Sequence, residues 1–205
     1  AAVFRDLGAD GVITGGQTMN PSTEDILREI DRTPAKLVYV LPNNKNIIMA
    51  AQQCIPLAEG KEVVIIPTKT VPEGIAAMLA MDPDATPEEN AAAMLEAAQR
   101  VHTVEITYAA RNSDYDGADI QQGDYLALWD HQLFGTEPNL DALLERLVRA
   151  EAIRQAEFIT IFYGQDVDSE AAQNALALFT AACPGAEITL LDGGQPVYYY
   201  IISAE

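Results

Sequence analysis

Three short polar segments hold the side chains best suited to chemistry: Gly15-Gly16-Gln17-Thr18, Asn43-Asn44-Lys45 and Thr68-Lys69-Thr70. Each follows a short apolar run and precedes a helical pattern. Together they offer amides, hydroxyls, two ammonium groups and three expected helix N-termini, whose unpaired N–H groups and dipoles attract anions. Such a set suits a carboxylate, a phosphate or an acidic loop of a partner. Asn, Thr and Gly also cap helices and close turns, and that plainer use competes at every one of these positions. The two lysines favour binding, because the chain has only 12 basic side chains and both fall on one expected edge.

Other constellations lead nowhere. No segment has the spacing Gly-x-x-x-x-Gly-Lys-Ser/Thr, and Gly15-Gly16-Gln17 departs from the dinucleotide fingerprint Gly-x-Gly-x-x-Gly. A Gly-Gly-Gln tripeptide also occurs in release factors that hydrolyse peptidyl-tRNA, but in a basic setting that this acidic chain lacks. No Ser stands in a Gly-x-Ser-x-Gly elbow. His102, His131, Cys54 and Cys183 lack metal-ligand spacing. Asp114, Asp116, Asp119 and Asp124 lack the order and terminal Glu of a calcium loop, and read as solvated turns. No catalytic residue and no metal ligand is therefore expected. Tyr198-Tyr199-Tyr200, with Ile201 and Ile202, reads as strand and core; an exposed tyrosine patch for a partner is the alternative.

The elements that must position the polar segments follow from periodicity. Gly11-Val12-Ile13, Leu37-Val38-Tyr39-Val40-Leu41 and Val63-Val64-Ile65-Ile66 read as strands, the second as one buried on both faces. Helices follow: one capped by Ser22 or Thr23 with Ile26, Leu27 and Ile30 on a stripe, one through Ile47, Ile48, Ala51 and Cys54, and one from Val71-Pro72 to Met81. Thr86 caps a fourth, with Pro87 at its first position. This alternation predicts a parallel sheet flanked by helices, with the three polar segments at its carboxyl edge.

Beyond residue 100 the pattern changes. Thr103 to Tyr108 alternates with period two, as a strand with one wet face, and short apolar pieces with Asp-Gly and Gly-Asp turns predict an antiparallel meander. An amphipathic helix on Leu140, Leu143, Leu144, Leu147 and Val148 follows. Then come strand Phe158–Tyr163, a helix opened by Asp168 or Ser169, and strands Glu187–Leu191 and Val197–Ile202. The expected organisation is a Rossmann-like parallel α/β half over residues 1–100 and a mixed α/β half with the meander over 101–205.

Composition sets bounds. The net charge is −19, from 31 acidic and 12 basic side chains, and 49% of residues are hydrophobic. Nucleic acid and an anionic membrane surface would both repel such a chain. No apolar run approaches the roughly 18 residues of a membrane helix. Two cysteines far apart in sequence are expected to stay unpaired in a cytoplasmic protein. Ala1-Ala2-Val3-Phe4 has neither a Met nor a secretory pattern, and reads as the interior of a longer protein.

Four motifs in order carry a resemblance: Gly8-Ala9-Asp10-Gly11-Val12-Ile13 with Gly15 to Thr23; Leu41-Pro42-Asn43-Asn44-Lys45-Asn46-Ile47; Ile66-Pro67-Thr68-Lys69-Thr70-Val71-Pro72; and Gly193-Gly194-Gln195-Pro196. Over nearly its whole length the chain resembles the C-terminal part of the YloV-like family of fatty acid kinases, once described as dihydroxyacetone-kinase-like. The resemblance implies a fold of the DegV and dihydroxyacetone-kinase substrate-domain type. It also implies a kinase that phosphorylates fatty acids presented by a separate DegV-like carrier, whose acyl phosphate product feeds phospholipid synthesis. ATP and magnesium would belong to an N-terminal domain that this stretch lacks, so no cofactor is expected here and the stretch alone would be inactive. In related substrate domains a His binds dihydroxyacetone covalently; neither His102 nor His131 sits in a matching motif. The expected role is docking of the carrier. A site for a fatty acid or phosphorylated metabolite at the same edge, and a homodimerisation module, stay open as alternatives.

Overall fold

The computed structural model describes residues 1–15, 20–115 and 117–205. They form two compact units, Ala1–Val101 and His102–Glu205.

The first unit contains helix α1 (Ala2–Asp6), α2 (Thr23–Arg32), strand β1 (Leu37–Val40), α3 (Ile48–Gln53) with a tight turn Ile55–Leu57, β2 (Glu62–Ile65), α4 (Val71–Leu79) and α5 (Pro87–Arg100). β1 and β2 pair in parallel, with Val38 opposite Val63 and Tyr39 opposite Val64. Side chains alternate across a strand, so each pairing faces a different layer. Val38 and Val63 meet Ile26 and Ile30 of α2 and Ala51 of α3. Tyr39 and Val64 meet Ala77 of α4 and Met94 and Ala98 of α5. Burial on both faces is why β1 reads as one unbroken apolar run.

The helix starts are written locally. Ser22 accepts the amide of Asp25 while Asp25 accepts that of Ser22, and Thr86 and Glu89 do the same for α5. At the other end of α2, the Lys61 ammonium donates to the carbonyls of Ile30, at 2.8 Å, and Thr33. A cation there satisfies carbonyls that the helix leaves unpaired.

One expected strand is absent among the described residues. Gly11-Val12-Ile13 joins no ladder and is largely exposed. Gly11 instead lies against the Glu29 side chain of α2, where a β-carbon would come within 2.7 Å of Oε1. Three residues bury too little apolar surface to offset the ordering of another strand. The sheet of this unit therefore has two described strands.

The second unit runs β3 (His102–Tyr108), β4 (Ser113–Tyr115), β5 (Ala118–Ile120), β6 (Tyr125–Trp129), β7 (Gln132–Glu137), α6 (Leu140–Leu147), α7 (Glu151–Gln155), β8 (Phe158–Tyr163), α8 (Ser169–Ala182), β9 (Glu187–Asp192) and β10 (Tyr200–Ala204). Its six-stranded sheet has the order β7-β6-β3-β10-β8-β9, and β4 and β5 form a separate hairpin. β8 and β9 are parallel, joined through α8; the other pairs of this sheet are antiparallel. Val104, Ile106, Ile161 and Ile202 meet Leu143 and Leu147 of α6 and Phe179 of α8 in the core.

Two details differ from expectation. The wet face of β3 is closed at its start: Thr103 is buried, and its amide donates to Asp130 Oδ1 at 2.8 Å because the β6–β7 turn folds back over it. That turn holds Asp130 and His131 at φ 47° and 68°, the left-handed pair that matches hairpin twist. β10 begins at Tyr200 and not Val197, because Val197 has φ 70°, which no strand accommodates. Among the described residues no helix is long and apolar enough to cross a membrane.

Candidate functional site

Parallel pairing of β1 and β2 brings the segments after them to one edge. Hydrogen bonds lock the two together. Thr68 Oγ1 donates to Asn43 Oδ1 at 2.8 Å and accepts the Asn43 amide N–H at 3.0 Å. Asn43 has φ 53°, a left-handed geometry that asparagine tolerates better than most residues. Its side chain lies on Gly74 of α4, where a β-carbon would come within 2.0 Å of Oδ1. Thr68 itself is 0% exposed. A buried hydroxyl needs partners, and here it has both a donor and an acceptor role filled.

The remaining residues of this edge divide into scaffold and surface. Thr70 is buried and caps α4, accepting the Glu73 amide at 3.2 Å. Thr68 and Thr70 are thus a clasp and a cap facing inward, a correction to the expectation that they line the contact surface. Asn44 Oδ1 accepts the Asn46 amide at 2.9 Å and turns the chain towards α3. Lys45 and Lys69 are exposed. Met49, 70% exposed, and Val71, 37% exposed, follow them at the starts of α3 and α4. Gly15 is exposed, while Gly16, Gln17 and Thr18 lie outside the described residues.

Electrostatics narrows the chemistry. Glu73 of α4 accepts the Lys69 amide at 2.6 Å, so a carboxylate from the protein already occupies that helix N-terminus. At α2, hydrogen bonds from Ser22 and the Arg28 guanidinium hold the Asp25 carboxyl below its ordinary value. The third N-terminus, that of α3, has no side-chain cap and belongs to a six-residue helix. A free phosphate or carboxylate would compete with resident carboxylates at both longer helices. The exposed lysines and their apolar neighbours are a surface better matched to a protein.

The sequence motif in the second unit proves to be a clamp. The amides of Gly193 and Gly194 both donate to the Tyr163 carbonyl, at 3.0 and 3.3 Å. Gln195 Nε2 donates to the Phe162 and Tyr198 carbonyls at 3.1 and 3.4 Å. A β-carbon on Gly193 would sit 1.9 Å from Gln195 Oε1, and one on Gly164 would sit 2.2 Å from the Tyr198 carbonyl oxygen. Two glycines directly after a strand and before an amide side chain were the signal for this close backbone approach. Cys54 and Cys183 are free and buried, and burial pushes both thiols up.

An α/β chain of this design, with a helix-flanked parallel pair and a mixed sheet, has clear relatives. The chain belongs to the FakA-like, C-terminal family of fatty acid kinases, which it matches over residues 1–205. It is 40% identical to protein YloV of Bacillus subtilis over 205 residues, covering 100% of this chain and 37% of that protein. The chain thus spans well under half the length of that relative. Its fold is that of DegV proteins. The DegV family protein Cg2579 of Corynebacterium glutamicum superposes with a TM-score of 0.70 at 16% identity, covering 99% of this chain and 91% of that one. The Streptococcus pneumoniae fatty acid kinase B3 protein, solved loaded with linoleic acid, superposes with a TM-score of 0.61 at 13% identity, covering 90% and 76%.

Proposed function

We propose that this chain is the carrier-docking module of a fatty acid kinase. A DegV-like protein bearing the fatty acid would meet the edge formed by Asn43, Asn44, Lys45 and Lys69, and ATP and magnesium would be held by a separate domain. Membership of the family supports the kinase context. The observation that carries the docking reading is the Asn43–Thr68 clasp, which fixes two loops in advance and leaves Lys45 and Lys69 outward. Loops ordered before encounter lose little entropy on binding. The lysines favour an acidic loop on the carrier and speed its approach, while Met49 and Val71 give adaptable apolar contact. A small anion is the weaker reading, since Glu73 and Asp25 already hold the longer helix N-termini.

A pull-down of a DegV-like carrier by this chain tests the reading. Lys45→Ala/Lys69→Ala is expected to weaken retention several-fold, from about 0.2–1 kcal/mol for each exposed charge contact. Equal retention by the variant removes this edge as the contact surface. No retention by the unaltered chain removes docking itself.

A further inference from the structure

The register of the six-stranded sheet assembles a second edge, of opposite character. β8 and β9 end together at Tyr163 and Asp192. Tyr200 lies opposite both Tyr163 and Ile106, so the start of β10 and the end of β3 share that edge. Tyr125 opens β6 opposite Tyr108. Three tyrosine rings meet here: Tyr199 is edge-on to Tyr125 at 5.2 Å and to Tyr108 at 6.2 Å. Tyr108 keeps 47% of its surface exposed.

Beside the rings, the segment after β9 presents Val197, 42% exposed and at φ 70°. A β-branched residue in the left-handed region is strained and persists only where its surroundings over-determine it. Those surroundings are the Gln195 clamp and Thr107, whose Oγ1 donates to the Val197 carbonyl at 3.0 Å. A loop held against its local preference, with an apolar side chain outward, is built for presentation.

The charge around the rings has one sign. Asp124, Asp166 and Asp192 stand at this edge, and segments 120–130, 161–170 and 190–205 contain no Lys or Arg. Burial raises the Tyr199 phenol, and Tyr125, Asp166 and Tyr108 act in the same direction. Anionic ligands are repelled from such a place. We propose that this edge docks an arginine-bearing loop of a protein partner. A guanidinium stacks on a tyrosine face while its N–H fork engages a carboxylate, and its aliphatic stem lies along Val197. Lysine lacks the planar fork. This surface belongs to the second unit and is independent of the lysine-bearing edge of the first.

The test is a titration of the isotopically labelled 205-residue chain at physiological salt, following tyrosine ring resonances. The probes are blocked Gly-Arg-Gly and, as control, blocked Gly-Glu-Gly. The arginine probe is expected to shift the rings of Tyr108, Tyr125 and Tyr199. Tyr108→Leu and Asp166→Asn should each weaken its affinity by about threefold, in line with an exposed cation–π contact. Tyr108→Phe keeps the ring and should keep the response. Shifts spread evenly over the acidic surface, a response that survives both weakening substitutions, loss of response in Tyr108→Phe, or an equal response to the glutamate probe would each overturn the proposal.

Discussion

Replacing Gly74 with Ala isolates the clasp that holds the first-unit edge. In a helix interior, alanine is ordinarily the better residue by about 0.5–1 kcal/mol. Here the new β-carbon would lie 2.0 Å from Asn43 Oδ1 and 2.7 Å from its Cγ, so the asparagine side chain must leave. Thr68 Oγ1 then loses its acceptor in a place with no solvent exposure. An unsatisfied buried donor costs about 1–3 kcal/mol, which outweighs the helix gain. Gly74→Ala alone is therefore expected to destabilise by roughly 1–2 kcal/mol. Asn43→Gly suits the positive φ and removes the obstructing atoms. In that background Gly74→Ala should stabilise by about 0.5–1 kcal/mol, a reversal of sign. Urea unfolding followed by far-ultraviolet circular dichroism on the four proteins measures both steps. The same sign in both backgrounds would refute the claim that Asn43 and Gly74 are coupled through contact.

Three further outcomes follow from the geometry. Val197→Gly removes strain of order 1–3 kcal/mol against an entropic loss of about 0.5–1 kcal/mol, so its melting temperature should rise; a fall would show that the loop is unstrained. Burial pushes the Tyr200 phenol up to about 12 from 10.0, and its hydroxyl donates to the Ala171 carbonyl at 3.3 Å. An acid whose folded value is raised stabilises fully below the unfolded value, so stability should fall between about pH 10 and 12 in an alkaline denaturation series, with a flatter profile in Tyr200→Phe. Hydrogen bonds to Ser22 and Thr86 hold Asp25 and Glu89 below 3.8 and 4.5. Their contribution is present above those ordinary values and is lost as pH falls through the lowered ones, so Asp25→Asn with Glu89→Gln should flatten the acid limb of a stability–pH curve.

Helix starts are the most legible feature of the chain, because a cap acts within three residues. Ser22, Thr70, Thr86 and Asp168 each accept an N–H from the residue three positions on. Strands Leu37–Val40, Glu62–Ile65 and Phe158–Tyr163 are legible as apolar runs. Gly11-Val12-Ile13 has the same look in miniature, and length alone does not reveal that α2 would claim it. The start of β10 differs from the expected Val197 because nothing local marks that residue as left-handed.

The candidate site shows the same division. Residue type and position place Asn43, Lys45, Thr68 and Lys69 in loops beyond apolar runs, and charge excludes nucleic acid as a partner, since both depend on neighbours along the chain or on summed composition. Which of those residues face inward depends on hydrogen bonds across 25 positions, between Asn43 and Thr68. The Gln195 clamp spans 33 positions, and the tyrosine edge exists only once β3, β6 and the segment before β10 lie side by side. Periodicity and capping are short-range and survive in a linear reading; burial, strain and the meeting of distant side chains arise only when packing chooses one register and closes the core around it.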